Sequence, residues 1–142
     1  MAHREPGCLF CKILDGELPA SIVDEDERTV AFMDINPATR GHALVIPRDH
    51  ATDLFDTDPE ELAALMIAAQ RLAKRMPQAL GADGVNLLNA CRPAAWQTVF
   101  HTHVHVIPRY HGDPLQLPWI PASGDMDEIA AAAHDLLAQA GR

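Results

Sequence analysis

The sequence predicts an α+β fold, an antiparallel sheet of about five strands with one long helix and one or two short ones. Three observations carry that expectation. Short apolar stretches are separated by turns compact enough for hairpins. One stretch beginning at residue 59 repeats its apolar positions at helical spacing. Residues 99–109 alternate histidine with β-branched side chains in the period of a strand. With 142 residues, 48% of them hydrophobic, the chain can bury a proper core and is expected to form one domain.

Residues 8–14 place Leu9, Phe10, Ile13 and Leu14 as in one or two helical turns, ended near Gly16. Residues 21–24 and 29–34 read as two strands around the acidic turn at 25–27, and residues 42–47 as a third strand closed by Pro47. Asp58-Pro59-Glu60-Glu61 is a helix start, with Asp58 as N-cap, Pro59 in the first helical position and Glu61 reaching back. Leu62, Leu65, Met66, Ala69, Leu72 and Ala73 follow on one face. Pro77 is expected to kink or end that helix, with Gly81 and Gly84 in the turn beyond it. Residues 85–89 read as a strand, residues 90–96 as a loop, and the histidine strand follows. A proline-rich tail begins at residue 111. Residues 127–138 have the composition of a last helix that caps the domain or mediates contacts.

A net charge of −9 argues against a general nucleic-acid-binding surface but leaves room for a small anion held locally. No apolar run approaches a membrane span, and residues 1–7 lack the hydrophobic region of a signal peptide, so a cytoplasmic location is expected. Three cysteines do not suggest a disulfide framework.

Period-two alternation puts His101, His103 and His105 on one face and Thr102, Val104 and Val106 on the other. Imidazole serves near neutral pH as acid, base, nucleophile or metal ligand, so a stiff row of three reads as a reaction centre. Gln97 and Thr98 offer neutral donors just before it, either an ordinary polar turn or part of an anion site. Cys8-Leu9-Phe10-Cys11 fits half of a tetrahedral zinc site, with His50 and His101 as candidates for the other half, or two reduced cysteines buried without metal. Cys91 has no partner and reads as a free thiol. His42, beside Gly41, and Asp34 are either strand-end residues or ligand contacts; a carboxylate at 34 suits the vicinal hydroxyls of a sugar. His3, His111 and His134 are expected at the surface.

His101-Thr102-His103-Val104-His105-Val106-Ile107 resembles the signature of the histidine triad (HIT) family, three histidines spaced by hydrophobic residues. The resemblance extends from Cys8 to about Arg109, through residues 31–37 and 41–47 and the Gln97-Thr98 approach. It implies a single HIT domain with a core of about residues 8–110 and a tail over 111–142. It also implies a homodimer whose two sheets join into one, and a hydrolase or transferase acting on the α-phosphate of a nucleotide conjugate, either a nucleoside phosphoramidate or a dinucleoside polyphosphate. By the same resemblance His103 is the nucleophile that becomes nucleotidylated, with His105 and His42 assisting. Asp34 and Ile35 meet the nucleoside, and Asn89, Gln97 and Thr98 lie around the phosphate. Members with an N-terminal C-x-x-C look like galactose-1-phosphate uridylyltransferase there, which implies a structural zinc held by Cys8, Cys11, His50 and His101. Trp96 stands where the family commonly has glycine, and the 89–97 loop is one residue longer than in its purine nucleoside phosphoramidases. A nucleotide-binding protein with little turnover, or a zinc-stabilised interaction module, are the alternative readings.

Overall fold

The computed structural model describes residues 2–140. Its elements run α1 (Leu9–Leu14), β1 (Ile22–Glu25), β2 (Thr29–Met33), β3 (Ala43–Pro47), α2 (Pro59–Leu80), β4 (Gly84–Leu88), β5 (Val104–Arg109) and α3 (Met126–Ala138). The five strands form one antiparallel sheet in the order β1-β2-β3-β5-β4. The chain therefore crosses over α2 to lay β4 on the far edge before β5 enters the centre.

Alternation along the strands divides the core in two. Ala31, Ala43, Val45, Val104 and Val106 face α2, meeting its buried stripe of Leu65, Ala68, Ala69, Leu72 and Met76. Val30, Phe32, Leu44 and Ile46 face the other way and pack on Phe10 of α1. The α2 side holds the greater apolar burial, which drives folding at roughly 25 cal/mol per Å². The α1 side is thinner, and there the sheet opens toward solvent.

Four local expectations are corrected. Asp58 occupies the N-cap of α2, but its side chain makes no capping bond. Its own carbonyl already takes the Glu61 amide (3.0 Å), the donor a capping carboxylate would seek, and the Glu61 carboxylate pairs with Arg28 at 3.0 Å instead. Pro77 does not end α2. It lies on an exposed face three residues before the terminus, and the helix closes at Gly81, whose φ of +72° is the left-handed turn that glycine takes without strain. Gly84 is the first residue of β4 rather than part of the preceding turn. The last helix is found one residue early, begun by the Asp125 carboxylate on the amides of Asp127 and Glu128, but it has no buried residue and does not cap the core. Among the described residues no helix is long and apolar enough to cross a membrane.

Arg71 ties α2 to the β1–β2 hairpin, reaching Asp24 at 2.6 Å and Asp26 at 2.8 Å. Burial works against ionisation of Asp26. It is outweighed by the Arg28 and Thr29 amides and the Arg71 guanidinium, which together lower the carboxyl from 3.8 to about 2. A depressed folded value makes this contribution present above 3.8 and lost as pH falls toward 2. Arg71→Ala is expected to lower stability in urea by about 1 kcal/mol at pH 7, since the pairs are charge-assisted but half exposed. The deficit should shrink on acidification through that window.

Candidate active site and metal centre

The histidine row is not one continuous strand. β5 begins at Val104, and residues 101–103 leave the sheet because their polar groups pair elsewhere. The Thr102 amide donates to the Ala51 carbonyl at 2.8 Å, and the His103 carbonyl accepts from Asn89 Nδ2 at 2.9 Å. The alternation persists through this departure. Val104 and Val106 enter the core under α2, whereas Phe10, on the opposite side, packs edge-on to both His101 and His103.

His101 is completely buried, and its Nε2 donates to the Pro47 carbonyl at 2.9 Å, which leaves Nδ1 without a proton. That bare nitrogen lies 3.0 Å from His50 Nδ1, 3.5 Å from Cys8 Sγ and 3.6 Å from Cys11 Sγ; Cys11 Sγ is 3.4 Å from His50 Nδ1. A tetrahedral zinc with its usual bond lengths needs donor separations of roughly 3.3–3.8 Å; the three sulfur–nitrogen separations lie in that range and the two imidazole nitrogens need move apart only slightly, so the set fits a zinc ion. Backbone amides complete the surroundings expected of ligating thiolates: Cys11 N–H points at Cys8 Sγ and Glu5 N–H at Cys11 Sγ, each at 3.4 Å. Burial holds His101 at about 4, neutral as a ligand must be. Four protein donors leave no position for a water, which makes the site structural.

His103 presents the opposite tautomer. Its Nδ1 lies 2.7 Å from the His101 carbonyl, which can only accept, so Nδ1 carries the proton and Nε2 keeps a free lone pair. Burial pushes this imidazole toward its neutral form. His103 lines a cavity of about 560 Å³ together with His105, Asp34, Ile35, Thr98 and the apolar wall of α1. The ring is thus seated in the protein yet open to a space of ligand size.

His42, Asp34 and His105 form a second cluster. His42 Nε2 is 2.9 Å from His105 Nδ1, and Asp34 Oδ2 lies 3.4 Å from the former and 3.9 Å from the latter. Three such ligand atoms suggest a metal. The Ala38 amide decides against it. It donates to His42 Nδ1 at 2.9 Å, so a neutral His42 carries its proton on Nε2 and offers a metal no lone pair there. The cluster is a hydrogen-bond chain. Burial lowers both imidazoles, His105 to about 4, helped there by His103 and His42.

The remaining predicted residues separate. Ile35 is 89% exposed at the cavity rim, and Thr98 is exposed on it. Asn89 and Gln97 turn inward. Gln97 is buried, accepts from the Arg92 amide at 2.6 Å and donates to the Thr52 and Val99 carbonyls at 2.7 and 3.1 Å. Trp96 has φ +77°, a conformation that favours glycine, and its indole stands mostly in solvent. His3, His111 and His134 are exposed, and Cys91 is free. Sequence reasoning missed Leu9, Phe10 and Ile13 as cavity wall. The signal was present: cysteines that meet His101 must bring the residues between and after them against the histidine row.

Residues 15–112 match the HIT domain family. An uncharacterized HIT-like protein of Methanocaldococcus jannaschii is 44% identical over 86% of this chain and 95% of its own. The adenylylsulfatase HINT3 of Arabidopsis thaliana is 40% identical over 76% of this chain and 55% of its own. A crystal structure of a Zn-bound histidine triad family protein from Mycobacterium smegmatis superposes with a TM-score of 0.76 at 42% identity, covering 95% of this chain and 98% of that one. The chain belongs to the HIT family. Within it, the protein is one of the zinc-binding members in which an N-terminal C-x-x-C closes on the first histidine of the triad.

Loss of one donor should weaken the whole α1 side. Cys8→Ser is expected to lower the thermal midpoint by about 5 °C or more, and Cys91→Ser by less than about 2 °C. Metal analysis should give one zinc per chain for wild type and for Cys91→Ser; equal thermal shifts in the two variants would remove the metal centre.

Proposed function

We propose that the protein cleaves the α-phosphate linkage of a nucleotide conjugate, a nucleoside phosphoramidate or a dinucleoside polyphosphate, through a nucleotidyl-histidine. The observation that carries this is the bare Nε2 of His103, fixed by the His101 carbonyl and open to a cavity of about 560 Å³. Nε2 attacks the α-phosphorus, and the bond from phosphorus to the leaving group breaks as His105 gives that group the proton on its own Nε2. Water then attacks the same phosphorus, the phosphorus–nitrogen bond breaks, and His105 takes the proton back.

Asp34 Oδ1 is anchored by the Asn36 amide at 2.7 Å, and we assign the carboxylate to the ribose hydroxyls, with Ile35 against the base. Thr98 donates to a phosphate oxygen. Asn89 and Gln97 hold the backbone of His103 and of the loop before it, so they shape the phosphate site without lining it. Zinc, when bound, supplies no step; it fixes His101 and α1. The adenylylsulfatase relative supports an adenylyl group as the transferred moiety.

His103→Ala should reduce turnover of an adenosine phosphoramidate about a thousandfold or more while AMP binding persists. Alkaline denaturing quench of wild type with labelled substrate should trap label on protein, in a form that acid releases. Affinity for AMP with no turnover in wild type would instead make the protein a binder.

Two copies are proposed to join their sheets at β4, an edge strand with four of its five residues exposed, Leu87 and Leu88 among them. Sedimentation at micromolar concentration should give twice the mass of one 142-residue chain; a monomer would overturn the pairing.

A further inference from the structure

We infer that Thr39, which touches neither the cavity nor any histidine side chain, is a positioning residue that sets the protonation pattern of the His42–His105 pair. Four hydrogen bonds of the loop over residues 34–42 bear on His42. The Asp34 amide donates to the His42 carbonyl at 3.0 Å, and the His42 amide to the Thr39 carbonyl at 3.2 Å. The buried Thr39 hydroxyl donates to the Pro108 carbonyl of β5 at 2.6 Å, and the Ala38 amide to His42 Nδ1 at 2.9 Å. Only the last touches a ring. The Tyr110 hydroxyl, one residue past β5, holds the Arg40 carbonyl at 2.6 Å, whereas the Thr39 hydroxyl holds the residue next to Ala38 directly to the strand that carries His105.

Gly41 shows how little freedom the loop keeps. Its φ of +95° suits glycine, and a methyl group there would collide with Leu80 and press on Pro108. The return of the chain is thus wedged between the end of α2 and β5, while the apex at Ala38 depends on Thr39.

The chemistry follows from donors and acceptors alone. Ala38 N–H makes His42 Nδ1 an acceptor, so His42 donates from Nε2 to His105 Nδ1, and His105 carries its remaining proton on Nε2. That nitrogen is the one on which the proposed reaction needs a proton, so the inference rests on the reading above. If the apex drifts, either nitrogen of His42 can bear the proton, and part of the population holds His105 as an acceptor toward the leaving group. The charged group beside both rings is Asp34, whose Oδ2 lies 3.4 Å from His42 Nε2 and 3.9 Å from His105 Nδ1 and so favours the same pattern as the Ala38 amide.

The test is Thr39→Val, which removes the hydroxyl at nearly constant volume, with Thr39→Ser as the conservative variant. The readouts are imidazole 15N–1H correlation spectra of the zinc-loaded full chain and steady-state kinetics on an adenosine phosphoramidate. Wild type is expected to show His42 and His105 each protonated on Nε2 alone. Thr39→Val should show averaged nitrogen shifts on both rings and a kcat about tenfold lower with KM little changed. Thr39→Ser should restore both readouts. A wild-type His42 protonated on Nδ1, or a Thr39→Val protein with unaltered spectra, overturns the inference. The spectra need no turnover, so a chain that fails to cleave nucleotides but keeps these tautomers refutes the proposed reaction and not the positioning role.

Discussion

Everything at the site depends on His101 being held at three points. Its Nε2 is bound to Pro47, its Nδ1 faces the cysteines and His50, and its carbonyl receives the His103 proton. One residue therefore joins the metal centre to the His103 ring by a backbone step and a single hydrogen bond. Strain or loss on the metal side reaches His103 directly, because that carbonyl is what keeps the reactive nitrogen bare. Complete burial of His101 makes this joint stiff.

A buried histidine cluster is usually an electrostatic liability, since each added proton repels the next. Here burial keeps every ring neutral, and each proton is directed by a partner that can only give or only receive: the Ala38 amide, the His101 carbonyl and the Pro47 carbonyl. Neutral rings with assigned tautomers give one residue type bare nitrogens at some positions and donor nitrogens at others. The backbone performs that division, from two and four residues away for His103 and His42 and from across the sheet, at Pro47, for His101.

Most of the architecture was legible in the chain. Apolar alternation gave the five strands, and helical spacing gave α2, because both follow from burying one face. Where reading failed, a tertiary contact had taken over a local rule. Glu61 prefers Arg28 to a capping bond, Pro77 is tolerated on an exposed face, and residues 101–103 exchange sheet partners for Ala51 and Asn89. The site divided the same way. The histidine row and the C-x-x-C stood out by residue type and spacing, and Asp34 and the full set of metal donors through the family resemblance, whereas Thr39 and Ala38 act through hydrogen bonds that no pattern of residue types displays. Trp96 is the converse case: the backbone conformation there explains why glycine is common at the position and leaves the indole a mild local burden.

The shortness of α1 has its own result. Six residues cannot sustain a helix in water, yet Leu9, Phe10 and Ile13 from this one turn and a half wall the cavity. What keeps them in place is the pair of sulfurs at their edge and the packing of Phe10 between Phe32 and His103. One wall of the cavity is thus latched by chelation, and its shape depends on the metal supply of the compartment in which the protein folds.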